Sequence, residues 1–345
     1  MRKHIYIAYT GGTIGMKPSK QGYVPAAGFL SDTLTKMPEF HRAEMPLFTL
    51  HEYDNLIDSS DMDPSDWQRI ADDIAENYDK YDGFIILHGT DTMAYTASAL
   101  SFMLEDLSKP VIVTGSQIPL AELRSDGQVN LLNALYVAAN FPIAEVGLFF
   151  NNRLLRGNRS RKVDADGFSA FDSPNFPPLL EAGINIRLKA GELAKNPSNA
   201  LTVSNVKAQP IGMVSLYPGI APEVIKNTLQ QPVNALILLS YGVGNAPQNP
   251  ELIAQLKYAK SREIPVLNCT QCMRGRVNMG GYATGHGLQE VGVLSGSDMT
   301  PEAALAKLHY LLSKGLPFDE LCQLLTQNLR GELATKPVLN VISQD

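Results

Sequence analysis

The sequence predicts an α/β protein of two domains: a larger N-terminal one on a mainly parallel sheet flanked by helices, and a smaller C-terminal α/β one. Two observations carry that expectation. Short apolar runs rich in β-branched residues alternate with stretches of helical spacing, the pattern of parallel strands joined by crossover helices. At 345 residues the chain also exceeds the roughly 250 to 300 at which a single hydrophobic core stops growing.

Strands are expected at Ile5–Tyr9, Gly83–Leu87, Pro110–Thr114, Val146–Phe150, Gly212–Leu216, Ala235–Leu239 and Pro265–Leu267, each bounded by turn residues. Helical spacing occupies Asp63–Tyr78, Met93–Leu107, Asp126–Ala139, Pro222–Leu229, Pro250–Lys260 and Pro301–Leu312. Periodicity is weakest over Lys189–Gln209, where Lys, Gly, Asn, Pro and Ser suit a surface connector. Domains are therefore expected at 1–190 and 210–345, with a linker at 191–209.

Composition narrows the function. With 44% hydrophobic and 19% charged residues, no low-complexity tract and a net charge of -6, the chain is an ordinary globular protein without the clustered Lys and Arg that nucleic acid or an anionic membrane demands. A small polar ligand fits better. The opening Met1–Gly12 lacks the apolar core of a signal peptide and reads as a strand running into a turn. No segment reaches the roughly 18 apolar residues of a membrane span, so the expected compartment is the cytoplasm. Three cysteines do not make a disulfide framework. Cys269-Thr-Gln-Cys272 follows an apolar run rather than opening a helix, and no second Cys or His pair is near it, which argues against a redox or zinc site.

In open parallel sheets, ligands bind beyond the carboxyl ends of the strands. The polar residues gather there, in Thr10-Gly-Gly-Thr13-Ile-Gly15, His88-Gly-Thr90-Asp91-Thr92, Thr114-Gly-Ser-Gln117 and Ser240-Tyr-Gly-Val-Gly-Asn245. The first has neither the ending of a P-loop nor dinucleotide spacing and is read as a glycine turn presenting Thr13. A threonine nucleophile needs a proton acceptor and backbone N–H groups ready for an oxyanion. Thr90 and Asp91 offer a hydroxyl, a carboxylate and adjacent amides. No histidine stands in a Ser/His/Asp arrangement, and His309 in Leu308-His-Tyr reads as a helix residue. A lysine is the alternative base.

These residues carry a resemblance. The chain is similar to bacterial asparaginases of the cytoplasmic, type I branch, through Ala8-Tyr-Thr-Gly-Gly-Thr13-Ile-Gly and Gly83-Phe-Ile-Ile-Leu-His-Gly-Thr90-Asp91-Thr92. The similarity continues through Asp58-Ser-Ser-Asp-Met, Thr114-Gly-Ser-Gln-Ile-Pro, Arg124-Ser-Asp-Gly-Gln-Val-Asn, Ser240-Tyr-Gly-Val-Gly-Asn and Asn278-Met-Gly-Gly-Tyr, nearly the whole chain. The resemblance implies hydrolysis of L-asparagine to L-aspartate and ammonia through an acyl-threonine, with no cofactor and no metal. Glutamine differs by one methylene, worth about 1 to 3 kcal/mol in a pocket, so glutaminase side activity is expected and primary glutaminase activity is the alternative. By the resemblance, Thr13 is the nucleophile and Tyr23 the tyrosine of a closing loop, Lys17–Gly28. Thr90, Asp91 and Lys162 form the second catalytic group, with the lysine held by the aspartate and acting through the threonine hydroxyl. Asp58, Ser59 and Ser60, with Thr90 and Asp91, hold the amino-acid end of the substrate. Read without the family, Lys162 is one more member of a solvated basic run from Arg153, and Ser59 or Ser60 a cap for the helix near Pro64. A homodimer or homotetramer is implied, and a second, regulatory asparagine site at Ser240, Tyr241 and Cys272. Leu239 departs there from the arginine common in the family.

Overall fold

The computed structural model describes residues 2–20, 22–189, 200–230, 232–281 and 283–334. The chain divides into two compact units, Met1–Ala208 with Leu305–Ser313, and Gln209–Ala304 with Lys314–Asp345. Of the expected linker, only residues 200–209 lie within the described residues.

The strands of the first unit are β1 (His4–Gly11), β2 (Met16–Ser19), β3 (Gly22–Pro25), β4 (Leu47–Ile57), β5 (Gly83–Leu87), β6 (Leu104–Glu105), β7 (Val111–Thr114), β8 (Val146–Phe150), β9 (Arg153–Arg156), β10 (Arg161–Lys162), β11 (Phe171–Asp172), β12 (Leu180–Ala182), β13 (Ile186–Leu188) and β14 (Thr202–Val203). Eight of them form one sheet in the order β13-β12-β9-β8-β7-β5-β1-β4. The pairs from β8 through to β4 are parallel, and β9, β12 and β13 extend the sheet antiparallel. The inner parallel strands read as continuous apolar runs because both faces are covered: every residue of β5 and β8 is buried. Each fully buried Leu, Ile or Phe contributes about 1.5 to 3 kcal/mol.

The strand order fixes where the chemistry sits. From β1 the chain crosses to β4 on one side; from β5, on the other side of β1, it moves away toward β7. The loops leaving β1 and β5 thus diverge, opening a crevice at the carboxyl ends of these two neighbours, the topological switch point of an open α/β sheet.

The helices α1 (Phe29–Thr35), α2 (Pro64–Asn77), α3 (Met93–Met103) and α4 (Gly127–Asn140) lie between these strands in sequence. In α2 Trp67, Ile70, Ala71 and Ile74 are buried, an i, i+3, i+4, i+7 stripe. Asp63 begins it with a capping box, accepting from the Ser65 amide at 2.7 Å while Asp66 accepts from the Asp63 amide at 3.0 Å, and Pro64 occupies the first turn. α3 stops at Met103 rather than running to Leu107, because Leu104–Glu105 pair instead with Thr202–Val203. The connector region therefore carries a short strand. α8 (Pro301–Ser313) belongs to the first unit from Leu305 onward. There His309 is buried edge-on to Trp67, ring centroids 5.7 Å apart, and Tyr310 donates to Glu105 at 3.0 Å.

The second unit has a parallel four-stranded sheet of β15 (Ile211–Ser215), β16 (Ala235–Ser240), β17 (Val266–Thr270) and β18 (Leu294–Ser295). Helices α5 (Pro222–Gln230), α6 (Pro250–Ser261), α7 (Ala283–Glu290) and α9 (Phe318–Thr326) belong to it. Asn249 caps α6 by accepting from the amides of Glu251 and Leu252.

Candidate active site

Three chain segments meet at the switch point, and glycines make the meeting possible. Gly12, just before Thr13, has φ 89°, and a Cβ on it would lie 2.4 Å from the Gly89 amide nitrogen. A Cβ on Gly89, just before Thr90, would lie 2.4 Å from Ser59 Oγ. A side chain at either place would collide, so the turns bearing Thr13 and Thr90 touch backbone to backbone while the Ser59 side chain packs against Gly89. Thr13 opens a short 3-10 turn to Gly15, and that turn is held from below. The buried Tyr9 hydroxyl donates to Gly12 O at 3.2 Å, and the Leu120 amide to Ile14 O at 2.9 Å.

Ser59 follows β4 and is 5% exposed, while Asp58 and Ser60 face solvent. Asp58 Oδ1 accepts from the Ser60 amide and hydroxyl, both at 2.9 Å, and these bonds hold its carboxyl below the usual carboxylate range. Thr92 ties this segment to the β5 loop by donating to Ser59 O at 2.7 Å. Neither serine caps α2; Asp63 does that.

Lys162 lies in β10, a two-residue strand paired with β11. Its Nζ donates to Asp91 Oδ1 at 2.6 Å and to Thr90 Oγ1 at 3.0 Å. The basic run that contains it is not a solvated face. Arg156 makes a buried bidentate pair with Glu145 at 2.6 and 3.0 Å, Arg159 is 2% exposed, and the Lys162 side chain is 21% exposed.

The Thr90 hydroxyl, accepting from Lys162, donates to Gln117 Oε1 at 3.1 Å. Gln117 has its orientation fixed, because its Nε2 donates to the carbonyls of Ala165 and Gly167, each at 3.2 Å. Its own amide, with that of Ile118, is bound by the Asp126 carboxylate at 3.0 Å. Asp126 stands where a helix cap is expected yet makes no side-chain cap bond to α4. Gln117 and Asp126 were both visible as polar residues after a strand and before a helix; nothing in the local sequence shows what they hold.

His88, 1% exposed, supports the same loop. Its Nδ1 lies 2.7 Å from Gly89 O, an atom that only accepts, so Nδ1 carries the proton and Nε2 accepts from Thr96 Oγ1 at 2.8 Å. Burial pushes its pKa down to about 4 from 6.5. The unfolded chain therefore takes up a proton first as pH falls through 6.5, and unfolding is favoured until the folded protein also protonates near 4. We expect chemical denaturation to show wild type losing up to about 1.4 kcal/mol of stability per pH unit across that window relative to His88→Gln. Equal slopes for the two proteins would contradict this.

Tyr23 sits on β3 of the hairpin β2–β3, opposite Pro18, and is 49% exposed. Of the expected closing loop, Gln21 lies outside the described residues. In the second unit Ser240 ends β16 and is buried, donating to Cys269 O at 3.4 Å, and the buried Tyr241 hydroxyl has no hydrogen-bond partner among the described residues. Cys272 is exposed just beyond β17, and Cys269 is buried within it.

A family model described as "Asparaginase, N-terminal" matches residues 4–193, and one described as "Glutaminase/Asparaginase C-terminal domain" matches residues 210–325. L-asparaginase 1 of Escherichia coli (strain K12) is 66% identical over 332 residues, 96% of this chain and 98% of that protein. The crystal structure of L-asparaginase I from Vibrio cholerae O1 biovar eltor str. N16961 superposes with a TM-score of 0.92 at 68% identity, over 97% of this chain and 100% of its own. The thermostable L-asparaginase from Thermococcus kodakarensis matches with a TM-score of 0.86 at 29% identity, over 96% and 100%.

Proposed function

Since this chain belongs to the asparaginase family, we propose Thr13 as the nucleophile with which it hydrolyses L-asparagine to L-aspartate and ammonia. The observation that carries the assignment is the meeting at one switch point of the Thr13 turn, the Ser59 turn and a Lys162–Thr90–Asp91 group. Thr13 Oγ1 bonds to the carboxamide carbon, its proton goes to the departing nitrogen, and ammonia leaves an aspartyl ester. Water then cleaves the ester and restores the hydroxyl. Lys162, held by Asp91, governs the proton at Thr90 Oγ1, and Thr90 assists the transfer. Ser59 meets the substrate carboxylate and Asp91 its ammonium, with Asp58 and Ser60 shaping that end. A fixed zwitterion aims the amide at Thr13, and Tyr23 closes over it.

The same reading divides the chain into a catalytic domain at 1–190, a linker at 191–209 and a C-terminal domain at 210–345. It assigns a homodimer or homotetramer, a cytoplasmic location, and a regulatory asparagine site at Ser240, Tyr241 and Cys272. Among the described residues no helix is long and apolar enough to cross a membrane. Ammonia release from each amide tests the substrate. One methylene is worth about 10- to 200-fold in such a pocket, so kcat/KM for asparagine should exceed that for glutamine by about that factor. Equal or faster glutamine turnover would reassign the enzyme. A sigmoidal asparagine curve would support the regulatory site, and a hyperbolic one would remove it.

A further inference from the structure

At the downstream root of the hairpin that bears Tyr23, where Leu30 and Leu34 of α1 enter the core, one carboxylate grips the backbone. Beyond β3 the chain passes through Ala26 and Ala27 to Gly28, whose φ of 72° and ψ of -10° begin α1 with no side-chain cap. A helix start leaves backbone N–H groups without intrahelical partners. Glu52 of β4 supplies partners for this one: Oε2 accepts from the Gly28 amide at 2.7 Å and Oε1 from the Ser31 amide at 3.2 Å. The root is not otherwise packed tight on that side, since a cavity of about 570 Å³ lies against Pro25, Ala27 and Glu52.

Glu52 also occupies a register position tied to the nucleophile turn. It pairs with Tyr9 of β1. The Tyr9 hydroxyl holds Gly12 O, and its ring lies so close beneath Gly15 that a Cβ there would fall 2.4 Å from it. Burial and the Glu52 charge both keep the Tyr9 phenol protonated, as a donor to Gly12. One strand position thus fixes the hairpin root against the strand that presents Thr13, and the same strand ends at Ile57, two residues before Ser59.

We propose that Glu52 is a positioning residue for the hairpin: by gripping the Gly28 and Ser31 amides it sets the hinge about which Tyr23 closes over the reacting amide. This rests on Tyr23 acting in the reaction. Loss of the grip leaves the sheet intact but spreads the hairpin over orientations in which Tyr23 does not reach the substrate, so kcat/KM falls.

A double-mutant cycle on the full chain tests this, with asparagine turnover measured for wild type, Glu52→Gln, Tyr23→Phe and the pair. Glutamine keeps the shape of Glu52 but turns an NH₂ toward one of the two amides. Losing one charge-assisted bond is expected to lower kcat/KM about ten-fold in wild type. In the Tyr23→Phe background the same change should cost about two-fold or less, because its effect runs through Tyr23. Hydrogen exchange should quicken at Gly28 and Ser31 in Glu52→Gln while β1 and β5 keep their protection; Glu52→Asp, which retains the charge one methylene short, should fall between. The same loss in both backgrounds, or unchanged kcat/KM and exchange, overturns the assignment of Glu52. Wild-type turnover by Tyr23→Phe is a separate result, which removes the role of Tyr23 and this inference together.

Discussion

Thr13→Ala yields a folded protein in which asparagine turnover falls by on the order of 10⁴-fold or more, the scale seen when a covalent nucleophile is deleted and only binding and oxyanion contacts remain. Stability should barely move. Thr13 is half-buried in a short turn that is held by Tyr9, Leu120 and the Gly12–Gly89 contact, none of which uses its hydroxyl. A change of about 1 kcal/mol or less in denaturation is the expected range for such a site. Thr13→Ser keeps the oxygen and should retain measurable turnover, which separates loss of the nucleophile from loss of shape. Wild-type turnover by Thr13→Ala would end the scheme.

Lys162→Met should be the second largest loss, about 10² to 10⁴ in kcat, the range of general acid–base assistance. The 2.6 Å pair with Asp91 invites a stability explanation, and magnitude decides against it. The Asp91 side chain is 64% exposed, and an ion pair open to solvent contributes about 0 to 1 kcal/mol. Methionine is close to lysine in length and has no charge, so melting should stay near wild type while kcat collapses. Lys162→Arg should not rescue, because a guanidinium stays charged and is a longer, planar fork, so it cannot exchange a proton with Thr90 Oγ1 from the place of the lysine nitrogen. A collapse of melting temperature with kcat per folded molecule preserved would make Lys162 structural.

The expected strands at Ile5–Tyr9, Gly83–Leu87 and Val146–Phe150 sit where the sequence puts them, since strands buried on both faces read as unbroken apolar runs. The stripe and capping box of α2 were equally legible. β4 was not. It is an edge strand of the sheet, and its His51, Glu52, Asp54 and Asn55 give it the composition of a loop. The helix expected to reach Leu107 stops at Met103 for a related reason, since the partner of Leu104–Glu105 lies about a hundred residues on.

Pattern alone could not assemble the site. Lys162 stands among arginines whose burial and pairing no local window reveals, and its acidic partner is 71 residues distant. The threonines looked like turn residues until the family motifs singled them out. Gln117 reaches Thr90 and the Ala165 and Gly167 carbonyls in other loops, a role that appears only when β5 and β7 are laid side by side, while Asp126 ties down the Gln117 and Ile118 amides within its own loop. What the sequence does carry without the fold is the glycine before each key threonine, Gly12 and Gly89, whose missing Cβ lets the two turns touch.

Two threonines compete for the nucleophile, and Thr90, bonded to Lys162, is the one an unaided reader of the geometry would choose. Rapid acid quench of the enzyme during asparagine turnover, followed by peptide mass spectrometry, decides between them. An aspartyl ester on the peptide bearing Thr13, absent in Thr13→Ala, is the predicted result; an ester on Thr90 would contradict the central assignment.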